Sequence, residues 1–116
     1  MMLPNAGAIY LANFSVDMRK SIDGLSLLVC NHFNMNPADG AIYVFTNKAS
    51  NKIKMLYFDR NGFVLWYKRL ERGKFKFLAN GSGMCELEES QLRWLLDGLD
   101  FSNLRGYSQL SYNLFC

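Results

Sequence analysis

From residue 8 the chain reads AIYLANF, an almost unbroken apolar run that predicts a strand. The spacing then changes. In SVDMRKSIDGLSLLVCNHF (residues 15–33), Met18, Ile22, Leu25 and Val29 fall at i, i+4, i+7 and i+11, one stripe of a helix that packs on a core. Ser15 or Asp17 could cap that helix, and Gly24 weakens it only slightly. The polar NMNPADG ends the pattern, with Pro37 and Gly40 as breakers. Three strand-like runs follow, at residues 41–46, 52–58 and 63–70. Between the last two, Asp59-Arg60-Asn61-Gly62 predicts a tight antiparallel hairpin in which Asn-Gly supplies the positive φ angles.

Strand parity shows what this hairpin needs around it. Ile53, Met55 and Tyr57 share one face of the first strand, and Lys54, Leu56 and Phe58 the other. In the returning strand Val64, Trp66 and Lys68 face opposite to Phe63, Leu65, Tyr67 and Arg69. Both faces are apolar at the centre and charged away from the turn, so the hairpin should be covered on both sides. After Gly73, residues 74–77 could add an edge strand with outward lysines. Residues 88–97 predict a second helix with Glu88 and Glu89 in its first turn, a stripe of Leu92, Leu95, Leu96 and Leu99, and Gly98 as C-cap. The expected fold is a single α+β domain over residues 1–100. It is an antiparallel sheet of four to five strands, with an N-terminal and a C-terminal helix packed on it. Residues 101–116 have no clear period and form a C-terminal tail.

At 116 residues, half of them hydrophobic, the chain can bury a core without staples. No apolar run approaches the ~20 residues of a membrane span, and Met1-Met2-Leu3-Pro4 lacks the positively charged region of a signal peptide, so a soluble protein is expected. The three cysteines, Cys30, Cys85 and Cys116, are odd in number and lack C-x-x-C spacing, so free thiols and a cytoplasmic location are expected.

Charge changes the picture more than composition does. The chain carries a net +3, but residues 48–76 hold nine of the thirteen Lys and Arg and only two of the ten carboxylates. A basic, aromatic-rich block therefore sits inside an otherwise acidic chain, which points to a polyanion such as nucleic acid. Its aromatics could stack on bases, although alternating aromatic and branched residues are also what buried strands use. Its cations Lys54, Lys68, Arg69, Arg72, Lys74 and Lys76 are candidate phosphate contacts, and the alternative is a set of solvated strand ends. Arg19 and Lys20, early in the first predicted helix, oppose its dipole and are further candidates, unless Arg19 simply pairs with Asp23.

Catalytic chemistry has little to work with. His32 is the sole histidine, which leaves no His-based zinc site and no Cys–His nucleophile pair of any promise. Asp59, Glu71 and Lys74 form only a loose acid, acid, lysine pattern, which leaves a metal-dependent nuclease as the least favoured alternative function. Gly81-Ser82-Gly83 begins like a phosphate loop, but Glu86 stands in the third glycine's place. No cofactor, metal or catalytic residue is expected.

Four segments together carry a resemblance: DMRKSIDGL (residues 17–25), NPADGAIYVF (36–45), KIKMLYFDRNGFVLWYKRLERGKF (52–75) and LRWLLDGLD (92–100). In this order and spacing the chain resembles the TnpB-type accessory proteins, second-reading-frame products of bacterial transposable elements of the insertion-sequence-66 group. The resemblance implies a role in DNA transposition beside a separate transposase, without an active site. Arg19, Lys20, Lys54, Lys68, Arg69, Glu71, Arg72 and Gly73 match the family pattern. The chain departs from it at Phe58, where Trp is usual, and at Phe77-Leu78, where an aromatic-proline pair is usual. The expected partners are transposon DNA and the transposase of the same element, with a homo-oligomer possible. A protein-docking module, using the hairpin's second apolar face and Tyr107, Leu110, Tyr112 and Phe115 of the tail, is the alternative function.

Overall fold

Seven elements form in chain order: β1 (Ile9–Ser15), α1 (Ile22–Phe33), β2 (Ile42–Thr46), β3 (Lys52–Asp59), β4 (Gly62–Arg69), β5 (Met84–Glu86) and α2 (Glu89–Asp97). The structure is a computed structural model that describes residues 7–76 and 83–97. Its strands make one five-stranded sheet in the order β4-β3-β2-β1-β5. The α+β class and the strand number agree with expectation, but the sheet is mixed instead of antiparallel. β1 and β2 run parallel, with Ile9 opposite Ile42 and Leu11 opposite Val44. The reason lies in the connection: α1 carries the chain back from the end of β1 to the start of β2, and such helical crossovers join parallel strands. The expected boundary at residue 100, the tail and the Gly98 cap lie outside the described residues.

Side-chain alternation divides the core into two clusters. Ile9, Leu11, Ile42, Val44, Ile53 and Met55 gather with Leu92, Leu95 and Leu96 of α2. Ala12, Tyr43, Phe45 and Leu56 gather with Leu25 and Val29 of α1. All five residues of β2 are buried, as a central strand with apolar packing on both faces requires. The hairpin follows the expected parity. Tyr57 and Trp66 pack against the α2 cluster, and Phe63 and Leu65 against the α1 cluster. Both of its faces are thus engaged within the chain.

Local chemistry sets the element ends. α1 begins at Ile22 behind Ser21, whose side chain makes no capping bond, so neither Ser15 nor Asp17 is the cap. Residues 17–20 form a separate turn in which the Lys20 N–H donates to the Asp17 carbonyl at 3.1 Å. Asn34, in the left-handed conformation at φ 53°, closes the helix, and the Met35 N–H returns to the Val29 carbonyl at 3.2 Å. The Tyr43 hydroxyl donates to Asp39 Oδ2 at 2.9 Å while Asp39 Oδ1 accepts the Ala41 N–H, which fixes the entry to β2. Burial first, and then the Asp39 hydrogen bond, push the Tyr43 phenol well above its usual pKa.

Three further expectations change. Residues 74–76 are not an edge strand: Phe75 is buried in the α2 cluster, and its N–H donates to the Ser50 carbonyl at 2.6 Å. The fifth strand is instead Met84–Glu86, antiparallel to β1. Cys30 is a free, exposed thiol, whereas Cys85 is disulfide-bonded and not the free thiol expected. Among the described residues no helix is long and apolar enough to cross a membrane.

The hairpin turn is displaced by one residue from Asn-Gly. Asp59 pairs with Gly62, which leaves Arg60-Asn61 as the loop, and the left-handed residue is Arg60 at φ 51°. An L side chain there costs about 1 kcal/mol relative to glycine. Arg60→Gly should therefore raise stability by up to ~1 kcal/mol, less the extra chain entropy of glycine, as read by urea denaturation. Lower stability would place the strain elsewhere.

Candidate nucleic-acid interface

Ser15, Thr46, Ile53 and Lys68 line up across one end of the sheet, strand to strand. On this row or within a few residues beyond it stand Arg19, Lys20, Lys48, Lys52, Lys54, Lys68, Arg69, Arg72, Lys74 and Lys76, ten of the twelve described cations. The other two are Arg60, at the opposite tip, and Arg93 on α2. Among the described residues the carboxylates near this end are Asp17, Asp23, Glu71 and Asp97, so the excess there is strongly positive. All eight residues expected to contact DNA lie at this end. Lys48 and Lys52 join them, although only the overall charge block had pointed to them.

Hydrogen bonds hold the loops at this end together. Asn47 anchors the connection from β2 to β3, since its Oδ1 accepts the N–H groups of Asn51 and Lys52 at 3.0 Å each. Its Nδ2 donates to Asn51 Oδ1 at 2.7 Å. The chain after β4 then docks on the same turn: the Leu70 N–H donates to the Asn51 carbonyl and the Phe75 N–H to that of Ser50. Gly73, at φ 76°, supplies the reversal between them. Buried Phe75 pins the segment from below and leaves Lys74 and Lys76 exposed on either side.

The cations divide into three groups by partner. Lys54 Nζ donates to the carbonyls of Met18 at 2.7 Å and Lys20 at 2.8 Å, tying the turn before α1 to the sheet. Lys68 Nζ donates to the Leu96 carbonyl at 2.6 Å, where it meets the negative end of the α2 dipole. Arg19 and Arg69 form exposed pairs with Asp17 at 2.7 Å and Glu71 at 2.9 Å. The Arg19 side chain and then its N–H hold the Asp17 carboxyl down at about 2, so Asp17 is ionised throughout the neutral range. Arg19 and Lys20 stand before the helix and not inside it, and Arg19 pairs with Asp17 instead of Asp23. Lys20, Lys48, Lys52, Arg72, Lys74 and Lys76 have no ion-pair partner among the described residues, and their charge is open to solvent.

An open cleft of about 640 Å³ indents this basic end. Ser15, Asp17, Arg19, Asn47, Lys48, Lys52 and Tyr67 are among the residues that line it. The loose acid, acid, lysine pattern does not assemble. Asp59 closes the hairpin tip and Glu71 follows the far end of β4, more than about 20 Å away along an eight-residue strand. Among the described residues no three His, Cys, Asp or Glu side chains group as metal ligands would. His32 packs its ring against Phe14 and Phe33. Gly81 and Ser82 lie outside the described residues.

The chain matches the family described as IS66 Orf2-like protein over residues 7–106. It is 32% identical to the uncharacterized protein y4hO of Sinorhizobium fredii (strain NBRC 101917 / NGR234) over 102 residues, 86% of this chain and 89% of that one. It is also 32% identical to the uncharacterized protein y4jC of the same strain over 106 residues, 90% and 91% of the two chains. No solved structure matches it significantly.

The grouping of cations by partner is open to a stability test. Lys54→Met and Lys68→Met each leave carbonyls without their ammonium and should cost about 1–2 kcal/mol in chemical denaturation. Lys74→Met should stay within about 0.5 kcal/mol of the parent. Equal losses at all three positions would mean that the carbonyl contacts contribute nothing particular.

Proposed function

We propose, from the premise that the chain belongs to the IS66 Orf2-like protein family, that it is a non-enzymatic accessory protein of DNA transposition that binds DNA through the basic end of its sheet. The observation that carries this reading is the convergence of four separate segments, residues 19–20, 48–54, 68–69 and 72–76, on one end of the fold. Uncompensated cations gathered on one surface repel one another, and a polyanion relieves that repulsion. Lys20, Lys48, Lys52, Arg72, Lys74 and Lys76 are the primary phosphate contacts in this reading, because among the described residues none of them forms a salt bridge or donates a side-chain hydrogen bond. Arg19 and Arg69 are reserve contacts that exchange a carboxylate for a phosphate. Lys54 and Lys68 contribute field more than direct contact. The DNA is that of the transposable element or its target, and the transposase of the same element is the working partner.

Fluorescence anisotropy on labelled DNA tests the assignment. Affinity should fall with salt by about 0.9 logarithmic units per unit of log salt for each duplex phosphate neutralised. Charge reversal at Arg72 and Lys74 together should weaken binding at least tenfold and flatten that slope by about two contacts. A folded double variant that binds like the parent removes this surface from consideration. Glu71→Gln, which releases Arg69, should act in the opposite direction and tighten binding a few-fold at low salt. A weakening there would show that the Arg69–Glu71 pair itself is part of the binding geometry.

A further inference from the structure

Most aromatics of the basic block are packed into the two core clusters, but Tyr67 is 48% exposed. It lies on β4 directly opposite Lys54 and lines the cleft of about 640 Å³ together with Arg19, Lys48 and Lys52. That volume falls within the ~300–1,000 Å³ of small-molecule clefts, although this one is open to solvent. The Lys54 ammonium stands 5.6 Å from the centroid of the ring while bonded to the Met18 and Lys20 carbonyls, so ring and ammonium are fixed relative to the turn that walls the cleft. The opposite wall is the turn held by Asn47, which carries Lys48 and Lys52.

We propose that this cleft is a binding site for an unpaired nucleotide, with the base stacked on Tyr67 and its flanking phosphates held by Lys48, Lys52 and Arg19. In a duplex the base faces stack on one another and are closed to a protein ring. An exposed aromatic flanked by Arg19, Lys48 and Lys52 therefore offers a stacking face that a single strand or an extruded base can use and a stacked duplex cannot. A smooth cationic surface would bind a duplex equally well without a ring. The inference rests on the DNA-binding reading above and narrows it to unpaired DNA.

The test compares an oligothymidine strand with a duplex of equal length by anisotropy at fixed salt. Tyr67→Leu keeps apolar bulk on the strand but removes the π face. It should weaken single-strand binding about tenfold and leave duplex binding within twofold. Tyr67→Trp should retain or improve single-strand binding, which guards against an effect of altered packing. Single-strand binding by folded Tyr67→Leu that matches the parent overturns the stacking site, as does an equal loss on both DNA forms. If the parent binds the duplex and not the single strand, only this inference falls. If it binds neither form, the DNA-binding reading falls with it.

Discussion

The sheet is apolar on both faces at its centre, and most of the fold answers that one constraint. β2 is buried throughout, with Tyr43 and Phe45 on one side and Ile42 and Val44 on the other. Exposing either face would cost on the order of 25 cal/mol for each Å² of apolar surface left in water, so each face needs its own cover. α1 contributes Leu25 and Val29 to one cluster, and α2 contributes Leu92, Leu95 and Leu96 to the other. Because α1 is also the crossover between β1 and β2, covering one face makes those strands parallel. The start of α1, the end of β1 and the loop after β2 consequently meet at the same end of the sheet as the open end of the β3–β4 hairpin. The convergence of cations there follows from topology, although their sequence positions span residues 19–76.

Periodicity read the local parts well. The parity of β3 and β4, the Ile22, Leu25 and Val29 part of the α1 stripe and Leu92, Leu95 and Leu96 of α2 were legible because each depends on neighbours within a few residues, whereas Met18 stands before the helix. The parallel pairing was not read, although a strand, a helix and a strand in succession already contain it: an antiparallel pair needs no helical return. β5 was missed for a different reason. Three residues are too few for alternation to register, and Met84–Glu86 is a strand only because β1 has an open edge beside it. Phe75 shows the converse, since its alternation with Lys74 and Lys76 looks like an edge strand. One buried ring between two exposed lysines produces the same pattern when a loop is pinned to the core.

The cation-rich end was legible as charge but not as a division of labour. Sequence cannot distinguish Lys54 and Lys68, which satisfy backbone carbonyls, from Lys48 and Lys52, which face a cleft. The difference depends on contacts with residues 28 to 36 positions away. Nor could it show that Tyr67 stands apart from the other aromatics. Its parity is the same as that of Phe63 and Leu65, and only its place at the uncovered end of β4 leaves it in solvent.

That division bears on how such an end can exist in a folded protein at all. Like charges in close quarters oppose compaction, and this fold lowers that cost by two means with different consequences. Carbonyl oxygens at the turn before α1 and at the end of α2 absorb Lys54 and Lys68 where these can also tie elements together. Exposed carboxylates offset Arg19 and Arg69 only weakly, because a pair in water is worth little and is readily exchanged for another anion. Six cations remain without either relief. A purely structural explanation accounts for the first group and tolerates the second, but gives the third no reason to collect at one end of the sheet, where Lys48 and Lys52 line a cleft. An anionic ligand does give one, since its arrival turns the remaining repulsion into binding energy.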